Sequence, residues 1–293
     1  MRLPLPVATR RRSSDPTSTR HRPHERRHTL NVAHRGASQE MPENTLGAIR
    51  RAVEVGADMV EIDVHRSKDG AVVLMHDTTL ARTTDAQRVF PGRGPWRVGD
   101  FTLDELKRLD AGSWKSPDRA GEPVPTLAEA LEVVSRSRTG LLLELKAPEQ
   151  YPGIVSDVVM AMREVPGALG AAEAGQLVVQ SFNYAAMKEH KTREPSVPVG
   201  LLGMPARANL PALGTWADQV NPSHLSVDKA YVDQVHDLGM ACFVWTVNHA
   251  PTMRRALRLG VDGVITNRPR SFGRVRAGRG LFSVFWPSVC DPR

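Results

Sequence analysis

From about residue 29 onward, short apolar and β-branched runs alternate with longer stretches whose apolar positions recur at helical spacing. The strand-like runs are Leu30–His34, Met59–Val64, Gly140–Lys146, Leu177–Ser181, Val197–Leu202, His224–Val227, Ala241–Val247 and Gly263–Thr266. Helices are predicted between them at Thr45–Val55, Thr126–Ser135, Ile154–Glu164, Tyr184–Lys191, Ala230–Leu238 and Pro251–Leu259, with the connection near 210–220 the least regular. Glycine follows the last helical residue at Val55-Gly56, Leu238-Gly239 and Leu259-Gly260, where its left-handed conformation closes a helix before the next strand. Eight strands with interleaved helices and one composition regime predict a single (β/α)8 TIM barrel of the α/β class over residues 30–270.

One departure from the alternation matters. After Met59–Val64 the turn signal Lys68-Asp69-Gly70 predicts a hairpin, with Val72–His76 returning antiparallel and bringing His76 back toward Glu61. The stretch that follows, about 78–125, is too long for an ordinary connection and contains a small helix candidate at Thr102–Leu109. It is expected to form a cap or rim.

The formal net charge is +7, which raises the question of a nucleic-acid or anionic-membrane partner. That charge sits at the ends. Residues 1–30 carry +6 and residues 270–293 carry +4, leaving −3 for the residues between. A slightly acidic barrel argues against a nucleic-acid groove, and the ends are expected to be a disordered basic leader (1–29) and a C-terminal tail (271–293). Cys242 and Cys290, the only thiols, frame no disulfide network. No apolar run is long enough for stable membrane insertion, and the leader lacks the apolar core of a secretion signal, so a cytoplasmic setting is expected.

Glu61-Ile62-Asp63 places two carboxylates at i and i+2, on one face of a strand whose other face is apolar. Glu144 interrupts the apolar run Leu141–Leu145 in the same way. Charges so placed lose hydration and repel one another unless a cation compensates. Three carboxylates without cysteine or clustered histidine suit a single hard divalent ion, Mg²⁺ or Ca²⁺, better than zinc. The alternative is a strand-end salt-bridge network with Lys146 or Arg66. His34-Arg35-Gly36 closes the first strand at the end where barrel active sites assemble, and arginine suits phosphate through its bidentate fork. His76 is a candidate general acid or base, with His65 competing for that role. Trp245 fits core packing or substrate contact equally. His190, His236 and His249 read as surface residues, and His224 stays open.

Taken in order, Ala33-His34-Arg35-Gly36, Pro42-Glu43-Asn44-Thr45, Glu61-Ile62-Asp63-Val64, Lys68-Asp69-Gly70, His76-Asp77, Glu144-Leu145-Lys146, Trp245-Thr246-Val247-Asn248 and Gly263–Pro269 resemble the glycerophosphodiester phosphodiesterase family over roughly residues 30–270. The resemblance implies hydrolysis of a small-molecule glycerophosphodiester to glycerol 3-phosphate and an alcohol. It implies that His34 and His76 are the acid/base pair, that Glu61, Asp63 and Glu144 ligate the metal, and that Arg35 and Lys146 hold the phosphate. Glu43 matches a site position that is either metal-linked or orients His34. The leader, the Ala86–Trp96 stretch and the chain after Pro269 depart from the family pattern. Rival readings are a lysophospholipase D-type enzyme whose run Leu281–Trp286 touches a membrane, a catalytically silent phosphate-binding barrel, and nucleic-acid binding through the basic ends.

Overall fold

Alternation along the second strand organises the barrel. In the computed structural model, which describes residues 28–278, β2 (Met59–Arg66) turns Val60, Ile62 and Val64 outward to the helices and the intervening positions inward. The remaining strands are β1 (Leu30–Ala33), β3 (Val72–Leu74), β4 (Gly140–Leu145), β5 (Leu177–Ser181), β6 (Val199–Leu202), β7 (Gln219–Asn221), β8 (Ala241–Val244) and β9 (Gly263–Thr266). Their order is β1-β9-β8-β7-β6-β5-β4-β2-β3, and β1 also pairs with β2. Eight parallel strands therefore close on themselves, and β3 lies outside the closure, antiparallel to β2 with Val64 opposite Leu74. This is the expected TIM barrel with its hairpin.

The outer core lies between strands and helices, where Ile49, Ile62, Leu127, Leu143, Met187 and Val220 are all buried. Inside the barrel the side chains form two zones. Val32, Met59, Leu142, Val178, Phe243 and Ile265 fill the lower part as an apolar plug. Above it lie Glu61, Asp63, Glu144, Gln180 and Asn221, all buried. Gln219 donates to Asn221 at 2.8 Å and Asn221 to Gln180 at 2.6 Å, so the uncharged part of this polar zone is satisfied internally.

Helix starts follow the sequence. Thr45 caps the helix Leu46–Glu54, and Thr102 with Glu105 and Thr126 with Glu129 form capping boxes for the helices Leu103–Lys107 and Leu127–Ser135. The inserted segment has its own core, including Val73, Met75, Leu80, Phe90, Val98, Phe101 and Leu106.

Two expectations need correction. The sixth barrel strand is Gln219–Asn221, whereas His224–Val227 is a turn beyond Pro222. Its short, polar, inward-facing residues carry no apolar run. His190 is fully buried with Ala186 and Met187 on the inner face of the helix Tyr184–Arg193. Past residue 270 the chain continues as the helix Pro269–Arg276, with Phe272 buried. The leader through residue 27 and the run Leu281–Trp286 lie outside the described residues. No helix among the described residues is long and apolar enough to cross a membrane.

Candidate active site

The strand-to-loop junction after β1 sets the first part of the site. Arg35 adopts the left-handed conformation (φ 55°), which points its backbone N–H at Glu61 Oε2, 2.7 Å away. A non-glycine residue held there costs about 1–3 kcal/mol, a strain typical of functional loops. Gly36 follows with φ 80°, and a Cβ built on it would lie 2.6 Å from the backbone carbon of Ala48. Only glycine lets the loop pass so close to the helix Leu46–Glu54. Just before that helix, Asn44 (φ 56°) brackets Asp63, donating to Oδ2 at 2.9 Å and accepting from its N–H at 3.1 Å.

β2 and β4 pair with Asp63 opposite Glu144, and Glu61 stands two residues below Asp63 on the same face. Glu61, Asp63 and Glu144 each offer an oxygen, all within 4.8 Å of one another. Lys146 Nζ lies 2.7 Å from Glu144 and 3.7 Å from Asp63, and Arg35 Nε makes an ionic contact of 3.3 Å with Asp63. Two cations thus face three carboxylates. Burial, followed by repulsion from Asp63 and Glu144, pushes the Glu61 carboxyl well above its ordinary range. Burial and then the Asp63 charge raise Glu144 to about 7. Burial acts the same way on Asp63, but Arg35 and Lys146 outweigh it and hold that group low. Glu61 Oε1 and Asp63 Oδ1 are buried without a hydrogen-bond partner. Unsatisfied carboxylate oxygens in one anionic cluster fit a hard divalent cation.

His34 stands half-buried beside them. Its Nδ1 meets Asn267 Oδ1 at 2.6 Å, which makes Nδ1 the protonated nitrogen and leaves Nε2 bare, 4.0 Å from Glu61 Oε2. Burial and then the Arg35 charge pull its pKa down to about 4, so the ring is neutral near pH 7. His76 enters from the hairpin side, with Nδ1 2.7 Å from Asp77 Oδ1. Arg82 and then His76 hold the Asp77 carboxyl far below the usual range against the effect of burial.

His34, Arg35, Glu61, His76, Glu144, Lys146 and Trp245 line one small cleft, while the buried Asp63 is not part of its lining and Glu43 accepts from Arg35 Nη1 at 2.9 Å. Trp245 donates to Asn221 O at 2.7 Å and stands edge-on to Phe182, their ring centres 5.7 Å apart. His65 is fully buried, its Nε2 3.3 Å from His76 O and its ring edge-on to Tyr151. It does not line the cleft. His224 holds Trp245 O at 3.2 Å through Nδ1. Sequence reasoning missed the orienting roles of Asn44 and Asn267, which lay inside recognised motifs, and it missed Phe182 and Arg82 altogether. Arg82 carries no local signal, since an arginine in an irregular segment is ordinarily solvated.

Residues 34–271 match the model of the glycerophosphoryl diester phosphodiesterase family. The chain is 35% identical over 247 residues to a glycerophosphodiester phosphodiesterase of Caldanaerobacter subterraneus subsp. tengcongensis, covering 83% of this chain and 96% of that protein. A glycerophosphodiester phosphodiesterase of Bacillus subtilis is 33% identical over 263 residues, covering 85% and 87%. Among solved structures, an Oleispira antarctica phosphodiesterase in complex with the product sn-glycerol-3-phosphate superposes with a TM-score of 0.73 at 31% identity, covering 83% of this chain and 95% of that one.

Proposed function

The chain belongs to the glycerophosphoryl diester phosphodiesterase family and hydrolyses glycerophosphodiesters to glycerol 3-phosphate and an alcohol, and we propose that His34 and His76 move the protons beside one divalent cation. The observation that carries this reading is the pair of buried oxygens on Glu61 and Asp63 that accept no hydrogen bond, beside Glu144 at the cleft that both histidines line.

Glu61, Asp63 and Glu144 are the residues that would hold the cation, with Mg²⁺ or Ca²⁺ favoured by their all-oxygen chemistry. When bound, such an ion supplies Lewis-acid stabilisation of negative charge on the phosphate. Arg35 and Lys146 face the same cleft and would hold the phosphate oxygens through charge-assisted hydrogen bonds. Asn44 keeps Asp63 turned inward, and Glu43 keeps Arg35 extended.

His34 is suited to accept a proton, because Asn267 takes Nδ1–H and leaves a neutral ring with bare Nε2. The attacking oxygen comes from water or from the substrate's own glycerol hydroxyl, and the same residue serves either route. His76 is suited to deliver a proton to the departing alcohol, with Nδ1 engaged by Asp77 and Nε2 left for the cleft. Phe182 and Trp245 form the apolar wall against which the substrate would rest.

Replacing either histidine by alanine is expected to lower the rate of glycerol 3-phosphate release about 10²–10⁴-fold. Near-normal turnover of either variant removes that residue from the mechanism.

A further inference from the structure

Arg82 belongs to none of the barrel strands. It stands on the inserted segment, next to the buried Thr83 and two residues from Leu80, which is enclosed in that segment's own core. The Leu80 N–H donates to Trp96 O at 2.9 Å, and Thr84 returns its N–H and its hydroxyl to Leu80 O at 3.1 and 2.7 Å. The backbone beneath Arg82 is therefore a fastened turn.

From that turn the guanidinium spans two carboxylates. Nε and Nη2 donate to Asp77 Oδ2 and Oδ1 at 2.6 and 3.0 Å. Nη2 and Nη1 donate to Glu43 Oε1 and Oε2 at 2.7 and 3.2 Å. Each carboxylate has a second partner inside the cleft. Asp77 Oδ1 meets His76 Nδ1, and Glu43 Oε1 accepts from Arg35 Nη1. A planar fork with five donors can fix two carboxylates at once, which the point charge of a lysine cannot. Without that fork, two neighbouring carboxylates lose their shared cation and are free to turn apart.

We propose that Arg82 is a positioning residue that holds His76 and Arg35 in register by clamping their carboxylate partners. The inserted segment thereby takes part in the chemistry without touching substrate. This inference rests on the reading of His76 as proton donor to the leaving alcohol. A proton donor must meet its acceptor along one line, and a displacement near 1 Å costs about 10²-fold in rate.

The test compares the wild type, Arg82→Gln, Arg82→Lys and His76→Asn on two substrates. Glycerophosphocholine releases an alkoxide that needs a proton, whereas the p-nitrophenyl ester of glycerol phosphate releases a phenolate that does not. The Arg82→Gln variant is expected to lose about 10²-fold in kcat on the choline ester, the scale of a misplaced catalytic group, and little on the nitrophenyl ester. KM should rise on both esters through Arg35. Arg82→Lys should fall between, and its leaving-group dependence carries the comparison if Arg82→Gln does not fold. Equal kcat losses on the two esters, or wild-type kcat on both, overturn the inference. If His76→Asn discriminates between the esters and the Arg82 variants do not, the inference alone fails. If His76→Asn does not discriminate either, the proton-donor reading falls and takes the inference with it.

Discussion

Glu61 and Asp63 project from the same face of β2, and each keeps one buried carboxylate oxygen without a hydrogen-bond partner. With Glu144 they outnumber the two cationic side chains, Arg35 and Lys146, that face them, and a bound cation would offset the remaining charge.

Added Mg²⁺ or Ca²⁺ should therefore raise the unfolding midpoint of the chelator-treated protein. A ligand at a hundred times its Kd contributes about 2.7 kcal/mol. Glu61→Gln should lose most of that gain, while its metal-free form unfolds at a higher temperature than the metal-free wild type. Thermal melts of both proteins with and without the ion check this. Full ion dependence in the variant would exclude Glu61 from the cation site.

Gly36→Ala should destabilise the fold by about 3 kcal/mol or more, since it combines positive-φ strain with a clash against backbone. The new Cβ would lie 2.6 Å from Ala48. Because His34 and Arg35 precede this residue, turnover should fall in the folded fraction as well. Urea unfolding with a parallel activity assay measures both, and an unaltered midpoint would contradict the account of this turn.

His190 is buried with both ring nitrogens unpartnered, and burial pulls its pKa down to about 4. The unfolded chain binds its proton near pH 6.5 and the folded chain near pH 4, so the unfolded state holds more protons between those values. Stability present above the higher value is lost as pH falls toward the lower one, by up to about 1.4 kcal/mol per pH unit. Replacing His190 by leucine should flatten part of this acid-side slope and add about 1 kcal/mol at neutral pH by removing an unsatisfied buried group. His34 and His65, similarly depressed, keep the remainder. Equal slopes for variant and wild type in urea titrations at several pH values would refute the assignment.

Much of the site was legible because its charges interrupt apolar strands. Glu61, Asp63 and Glu144 stand out for that reason, and the turn signal Lys68-Asp69-Gly70 is enough to bring His76 back toward them. β7 was not legible, because Gln219 and Asn221 turn inward to a hydrogen-bonded chain and leave no apolar signature. His190 looked like a surface residue because its helix has a weak amphipathic pattern, yet Met187 and Ala186, three and four residues before it, face the core. Arg82 depends on a tertiary approach of the inserted segment to the loop carrying Glu43, which local sequence does not encode.

The most direct measurement is glycerol 3-phosphate release from a glycerophosphodiester by the purified protein, before chelation, after exhaustive chelation, and after Mg²⁺ or Ca²⁺ is restored. The account predicts that release is lost on chelation and returns with the ion. Release that continues undiminished after complete chelation would contradict it.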